Sequence, residues 1–379
     1  MGGKGMPTKE LKSETDIKDF VRGCTFLGTG GGGSPGEGVS LLVETLESGK
    51  KIHWVDVNEV DDEAWVTSPA GMGSIAPVTE EKRRMFEQLG LKERKVKRML
   101  VKAVRELELY LGSSVDIIVP AEIGGGNTPV PLDTAAQLGK LTVDGDYTGR
   151  AIPEVEQCLP AMHNKKITPI ACVDDWGNVS IVKDVVTLAV AERLGKMIST
   201  IATGLCGETF FTMKAKEMKE LLVPGTLTES LEIGKTIRVA RECDRDPVEA
   251  VTDFLSGWVL FKGRVEKKDW EDREGYMFGT TYINGSSEFQ GQEFKIWFKN
   301  ENHISWKNDK PFATSPDIIE VVELETAEPI TNPSLQEGQN VAVIGVRARK
   351  QYATKRGIEL LGPSHYGFDI EHIPIEQML

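Results

Sequence analysis

The chain has 379 residues, of which 40% are hydrophobic, and a formal net charge of −13. A single hydrophobic core stops growing below that length, so two domains are expected. The negative field repels nucleic-acid phosphates and anionic membranes, which excludes nucleic acid and the membrane surface as expected partners.

The polar start "MGGKGMPTKELKSETD" lacks the apolar stretch of a signal peptide, so a cytoplasmic protein is expected. Residues 14–24 read as a helix, followed by a glycine run and a second helix over about 37–49. "KIHWVDV" (51–57) and "AWVTS" (64–68) read as short strands. A long helical stretch fills 79–110. Its mixed charges and spaced apolar residues (Met85, Leu89, Met99, Val101, Val104, Leu107) suit a solvated amphipathic helix. "VDIIVP" (115–120) is a strand followed by a short helix over 131–138, and "KLTVDGD" (140–146) is a strand. "PEVEQCLPAM" (153–162) is helical with Pro153 in its first turn, and "ITPIACV" (167–173) is a strand. The run 180–222 reads as mostly helical.

Strands alternating with helices predict an α/β domain over residues 1–250, three-layered and Rossmann-like with a mostly parallel sheet. After residue 250 the segments are short, often alternating and punctuated by Gly, Asn, Asp and Pro, which predicts an antiparallel β-rich domain over 251–379, a small barrel or a sandwich.

"FLGTGGGGSPGEG" contains Gly28-x-Gly30-x-x-Gly33, with Asp56 following at about the ribose-binding offset. A dinucleotide fingerprint needs a strand before its first glycine. Here a helix precedes it, so nicotinamide and flavin are not expected, and no Lys-Ser or Lys-Thr completes a phosphate loop. Gly30, Gly31, Gly32 and Gly33 instead offer backbone N–H groups at a helix start, where Ser34 could add a hydroxyl. A tight turn alone would need only one or two glycines.

Further joins are "SPAGMGS" (68–74), "AEIGGGN" (121–127), "DGDYTGRAIPE" (144–154) and "DDWGN" (174–178). If their strands run parallel, the joins meet outside one sheet edge, where such folds bind ligands. That edge would gather Glu122, Gly124, Gly125, Gly126, Asn127, Asp144, Asp146, Arg150, Glu154, Asp174, Asp175 and Asn178. The plainer reading makes Asp144, Asp146, Asp175 and Asn178 turn residues and pairs Arg150 with Glu154 on a surface.

The five histidines (His53, His163, His303, His365, His372) form no zinc pattern, although an all-oxygen Mg²⁺ or Mn²⁺ site from Glu122, Asp144 and Asp146 is open as a divalent-metal alternative. Five scattered cysteines without C-x-x-C suggest free thiols.

In this order the motifs resemble the S-methyl-thiohydantoin desulfurase-like family. "LGTGGGGSP", "AEIGGGN", "DGDYTGRAIPE" and "DDWGN" carry the resemblance in the first half, and "WFKNENHISW", "SPDIIEVVELETAEPI" and "GPSHYGFDIEHIPI" in the second. It covers the chain from about residue 14, and departs from the pattern at His365, which is given no role. The resemblance implies an α/β domain joined to a β-barrel-like one, chemistry on hydantoin-type rings, and company with hydantoinase/oxoprolinase proteins. The expected activity is hydrolysis of a small polar cyclic substrate, with water displacing methanethiol from an S-methyl thiohydantoin. We assign the base to Asp144 or Asp146, with Glu122 as the other acid–base group. Gly30 to Gly33 with Ser34, Gly124 to Gly126, Asn127, Arg150, Glu154, Asp174, Asp175 and Asn178 would bind the substrate. A persulfide route through Cys172 is the chemical rival. The alternative is a non-catalytic, ligand-binding partner subunit of a hydantoinase/oxoprolinase; a homo-oligomer is expected in either case.

Overall fold

The computed structural model describes residues 8–73, 80–202 and 204–378. The first seven residues and Ser74, the last residue of the 68–74 join, lie outside the described residues. Ser13 starts the first helix, Glu14–Leu27, its hydroxyl accepting from Asp16 N. The second helix, Pro35–Glu47, begins with Pro35 in its first turn and Ser34 as its cap.

β1 (Thr8–Leu11) pairs antiparallel with β2 (Ile52–Val55). There follow β3 (Trp65–Gly73), β4 (Ile117–Ile118), β5 (Leu141–Thr142), β6 (Gly145–Asp146), β7 (Ile170–Asp174), β8 (Val179–Val182), β9 (Leu205–Lys214) and β10 (Val223–Pro224). Six of these form one sheet in the order β5-β4-β3-β9-β7-β8. The expectation of a mostly parallel sheet is corrected. Only the β3–β4 and β4–β5 pairings are parallel; β7 points the same way as these strands, but β9 is antiparallel to both β3 and β7, and β8 to β7. The cause is the tight β7–β8 hairpin, which reverses the chain, and the return of β9 between β3 and β7. β9 lies in the run expected to be helical, and its residues from Cys206 to Phe211 are all buried. A strand covered on both faces lacks the alternation that would betray it.

The sheet carries helices on both faces. A Cβ at Gly207 would meet Met99 and Leu100 of the helix Met99–Leu111. The next residue, Glu208, lies against Gly195 of the helix Leu188–Ile201. Neighbouring strand residues face opposite ways, so the two helices cover opposite sides. The expected 79–110 helix is two pieces, Glu80–Gln88 and Met99–Leu111, separated near Gly90, whose φ is +75°.

The β-rich half contains β11 (Trp258–Arg273), β12 (Tyr276–Gly285), β13 (Glu293–Lys299), β14 (Glu301–Lys307), β15 (Lys310–Thr314), β16 (Ile318–Glu323) and β17 (Asn340–Val346). They form one fully antiparallel sheet in the order β15-β14-β13-β12-β11-β17-β16. It curls into a half-barrel around Leu260, Phe261, Val265, Phe294, Ile296 and Val343. Across its opening Asn302 Nδ2 of β14 donates to Ile319 O of β16 at 2.9 Å.

One apolar cluster joins the halves: Ile17, Phe20 and Phe26 of the first helix pack with Ile233 and Ile237 and with Ile318, Val322 and Ile344. Helices 14–27 and Thr226–Glu242 touch backbone to backbone, where a Cβ at Gly234 would fall 1.8 Å from Asp19 O. This fixes the glycine loop after Leu27 between the α/β half and the half-barrel. Among the described residues, no helix is long and apolar enough to cross a membrane.

Candidate functional site

The glycine-rich loops bind each other. Gly126 N and Asn127 N donate to Gly32 O at 2.9 and 3.0 Å. Gly32 has φ +76°, and a Cβ there would fall 2.5 Å from Gly124 Cα. A Cβ at Gly125 would lie 2.4 Å from Thr25 Oγ1. The opposite flank faces the half-barrel. A Cβ at Gly31 would lie 2.0 Å from Glu301 Oε1, and one at Gly30 2.6 Å from Asn332 Nδ2. Asn332 N and Asn302 N in turn donate to Gly30 O and Thr29 O. These glycines serve close approach of backbones from three directions. Gly33, Ser34, Gly126 and Asn127 reach the surface, and Ser34 Oγ is engaged as the helix cap.

The two aspartates of "DGD" clamp a helix start. β6 pairs with β10 just before the helix Thr226–Glu242. Asp144 accepts from Thr228 N at 3.0 Å and Thr228 Oγ1 at 2.5 Å. Asp146, fully buried, accepts from Thr226 Oγ1, Thr148 N, Thr148 Oγ1 and Gly149 N at 2.7–2.8 Å. Burial pushes Asp146 up to about 6 against those hydrogen bonds. With their oxygens so engaged, these aspartates do not assemble an all-oxygen metal site with Glu122.

Not all the joins converge. "SPAGMG" is strand, because β3 continues to Gly73. Asp174 accepts from Gly177 N, Asn178 N and Asn178 Nδ2 in the β7–β8 turn, three strands from β4. Asp175 lies beside it, paired with Arg94 at 3.1 Å. The plainer turn reading fits Asn178, and the residue that accepts in this turn is Asp174, where the sequence pointed to Asp175.

The other residues do come together, along the segment 150–154. Arg150 is buried and donates to the carbonyls of Ala151, Pro316 and Asp317 at 3.0–3.1 Å, and to that of Asn302 at 3.4 Å. It does not pair with Glu154; it ties the α/β half to the half-barrel. Ile152 N donates to Glu122 Oε2 at 2.7 Å, and Asn127 Nδ2 to Glu122 Oε1 at 2.5 Å. Burial pushes this half-buried carboxyl up to about 7, against both hydrogen bonds. Glu301 lies across the loop, accepting from Gly32 N at 3.3 Å. Burial and the neighbouring Glu122 hold it well above the usual carboxylate range.

At the far end Glu154 meets groups that local sequence reasoning missed. Its Oε2 is 2.6 Å from His365 Nε2, and Lys299 Nζ donates to Oε1. Although burial acts the other way, the His365 and Lys299 hydrogen bonds hold Glu154 down to about 2. Tyr276 stands beside them, its hydroxyl bonded to Glu192 and its ring under Lys299 Nζ at 4.2 Å. Tyr366, Trp297 and Phe368 form a half-buried aromatic wall next to His365. The usable signal lay in the quoted segments "WFKNENHISW" and "GPSHYGFDIEHIPI", which supply Lys299 and His365. Glu156 also comes near, with one oxygen of each carboxylate and a His365 nitrogen all within 4.8 Å. Both Glu154 oxygens there already have partners, His365 and Lys299.

Cys172 is buried, its thiol 3.3 Å from Glu208 Oε1, and burial with that carboxylate pushes it far above the thiolate range. A cavity of about 540 Å³ opens elsewhere, beside Gly225, Thr228, Glu229, Phe254 and Arg349, and none of the residues expected from the sequence to bind substrate lines it.

Against known proteins, the S-Me-THD-like, N-terminal domain matches residues 15–184 and the S-Me-THD-like, C-terminal domain matches residues 187–375. A crystal structure of a protein from Chromobacterium violaceum is similar, with TM-score 0.74 and 21% identity over 97% of this chain and 100% of that one. That likeness concerns the fold. No curated protein matches at a significant level.

Proposed function

The chain belongs to the S-Me-THD-like (S-methyl-thiohydantoin desulfurase-like) family, and on that premise we propose that it is a hydrolase-type enzyme acting on a hydantoin, thiohydantoin or related cyclic amide. The observation that carries the reading is Glu122. A carboxyl held near neutrality, half-buried and fixed between Asn127 and Ile152, has the acidity a proton donor needs at ordinary pH.

With an S-methyl thiohydantoin, water attacks the ring carbon that bears sulfur, and the C=N electron pair moves onto nitrogen. Glu122 gives that nitrogen its proton. When the tetrahedral intermediate collapses, the C–S bond breaks, Glu122 recovers a proton from the new hydroxyl, and the hydantoin carbonyl forms. A second group must take the attacking water's proton and pass it to the departing methanethiolate. Asn127, Gly33 and Ser34 form the rim beside Glu122, and the charges of Asp146 and Arg150 act on it from nearby. The reading also takes the protein as a cytoplasmic homo-oligomer.

Incubating the purified chain with a panel of hydantoins and S-methyl thiohydantoins, followed by mass spectrometry, tests this. Hydantoin and methanethiol are expected, with kcat reduced about 10²-fold or more in Glu122→Gln. A folded Glu122→Gln with unchanged kcat removes Glu122 from the chemistry. Turnover only after adding a hydantoinase/oxoprolinase partner assigns the chain to the partner-subunit reading instead.

A further inference from the structure

Glu154 and Glu122 hold the two ends of one short segment, residues 152–154. Glu122 grips Ile152 N, and two residues later Glu154, with φ −131° and ψ 135°, reaches His365. Glu122 and His365 are thus both anchored to the segment 152–154, one through its backbone and one through the Glu154 side chain. The Glu154–His365 contact engages Nε2. His365 is half-buried, and its other nitrogen, Nδ1, is not one of the buried, unpartnered polar atoms of the described residues. An ionised carboxylate on one imidazole nitrogen fixes the tautomer and leaves the other nitrogen as a proton acceptor. Lys299 fills the remaining Glu154 oxygen and prevents the carboxylate from turning away. The aromatic wall of Tyr366, Trp297 and Phe368 suits a flat ring lying beside that nitrogen.

We propose that His365, oriented by Glu154, is the proton acceptor of this site, working opposite Glu122. The inference rests on the hydrolase reading above. Nδ1 takes a proton from water as the water oxygen bonds to the ring carbon, and delivers it to sulfur as the C–S bond breaks. Methanethiol leaves neutral and the imidazole is restored. With the Glu122 exchange, both protons of water are accounted for, one on ring nitrogen and one on sulfur. Glu154 is a positioning residue.

The test compares wild type, His365→Ala, His365→Gln and Glu154→Gln, with the glutamine variant of His365 serving if alanine disturbs folding. Both His365 variants should lose about 10²–10⁴-fold in kcat with KM changed less than about threefold, and Glu154→Gln about tenfold or more. Added imidazole should restore His365→Ala by about tenfold and leave Glu122→Gln unaffected. Folded His365 variants with wild-type kcat, or without imidazole rescue, overturn the proposal. If wild type converts none of the compounds, the hydrolase reading fails, and the geometry is judged by diethyl pyrocarbonate labelling with peptide mass spectrometry. His365 should then label faster than buried His303, and more slowly in Glu154→Gln. A His365 that does not label, or labels independently of Glu154, overturns the inference.

Discussion

Gly126 donates its N–H to the carbonyl of Gly32 at 2.9 Å, so each glycine-rich loop is a binding partner of the other. The contact is possible because neither backbone carries a Cβ at the crossing. It places Glu122 and Asn127, from one loop, beside Glu301, which reaches the opposite flank of the other. The floor of the candidate site is therefore built from backbone-to-backbone contact between the two loops, with Glu122 and Asn127 beside it.

Substitution at the crossing should be costly. In Gly32→Ala the new methyl would fall 2.5 Å from Gly124 Cα at a φ of +76°, combining strain with overlap against backbone that cannot turn aside. A loss of about 2–4 kcal/mol is expected. Gly36, in the first turn of the helix 35–47, has nothing within 4 Å of its Cβ direction. Gly36→Ala should be neutral or stabilising by about 0.5–1 kcal/mol. Urea midpoints of the two variants decide this; equal midpoints would refute the close-approach account.

Reading the sequence recovered elements whose signal is local. The first helix, the β-rich second half and the glycine joins all announce themselves through spacing or punctuation. β9 did not, because Phe210 and its buried neighbours show no alternation and only three residues separate "LCGETFFTMK" from a true helix. The direction of β9 depends on a hairpin elsewhere, and nothing in its own residues records it. Glu122, Asn127, Arg150 and Glu154 were legible as candidates because they sit in motifs. Their partners were not, since Lys299 and His365 lie 145 and 211 residues from Glu154. Asp144 and Asp146 looked like acid–base groups by residue type; only the helix start 80 residues later shows where their oxygens are used.

The buried acids should make the fold more stable in mild acid than at neutral pH. Burial pushes Glu208 and Glu122 up to about 7, and Asp146 and Asp317 up to about 6. Between their ordinary and raised values the folded state holds protons that the unfolded state releases. Stability therefore falls as pH rises through roughly 4–7. Glu154, held down to about 2, acts oppositely, its contribution being lost as pH falls below the ordinary carboxylate range. Glu208 is 2% exposed, so Glu208→Gln should relieve about 2–3 kcal/mol at pH 7.5 relative to pH 5. Urea melts of both proteins at the two pH values would show it, and parallel curves would contradict it.

Thiol chemistry should be confined to one position. Cys24, Cys158, Cys172 and Cys206 are buried, and Cys243 is exposed. Burial pushes Cys24 and Cys158 up to about 12, and burial with Glu208 holds Cys172 and Cys206 higher still. One thiol per chain should react quickly with a disulfide reagent under native conditions, and all five after unfolding. Cys172→Ser should keep wild-type turnover; loss of activity in a folded Cys172→Ser would restore the persulfide route.

Arg150 should matter more for holding the halves together than for binding substrate. Its guanidinium is 1% exposed and donates to four carbonyls, three of them (Asn302, Pro316 and Asp317) in the β-rich half. Lysine keeps the charge but lacks the planar fork that reaches those carbonyls together, and methionine leaves them without a donor. Arg150→Met should lose about 3–5 kcal/mol, with Arg150→Lys intermediate. The charge also opposes the upward pKa shift of Glu122 and Glu301. Its removal should therefore shift the pH dependence of turnover upward, which loss of packing alone would not do. A methionine variant within about 1 kcal/mol of wild type, with an unchanged pH profile, would mean that the carbonyl cluster and the charge at position 150 have no such role.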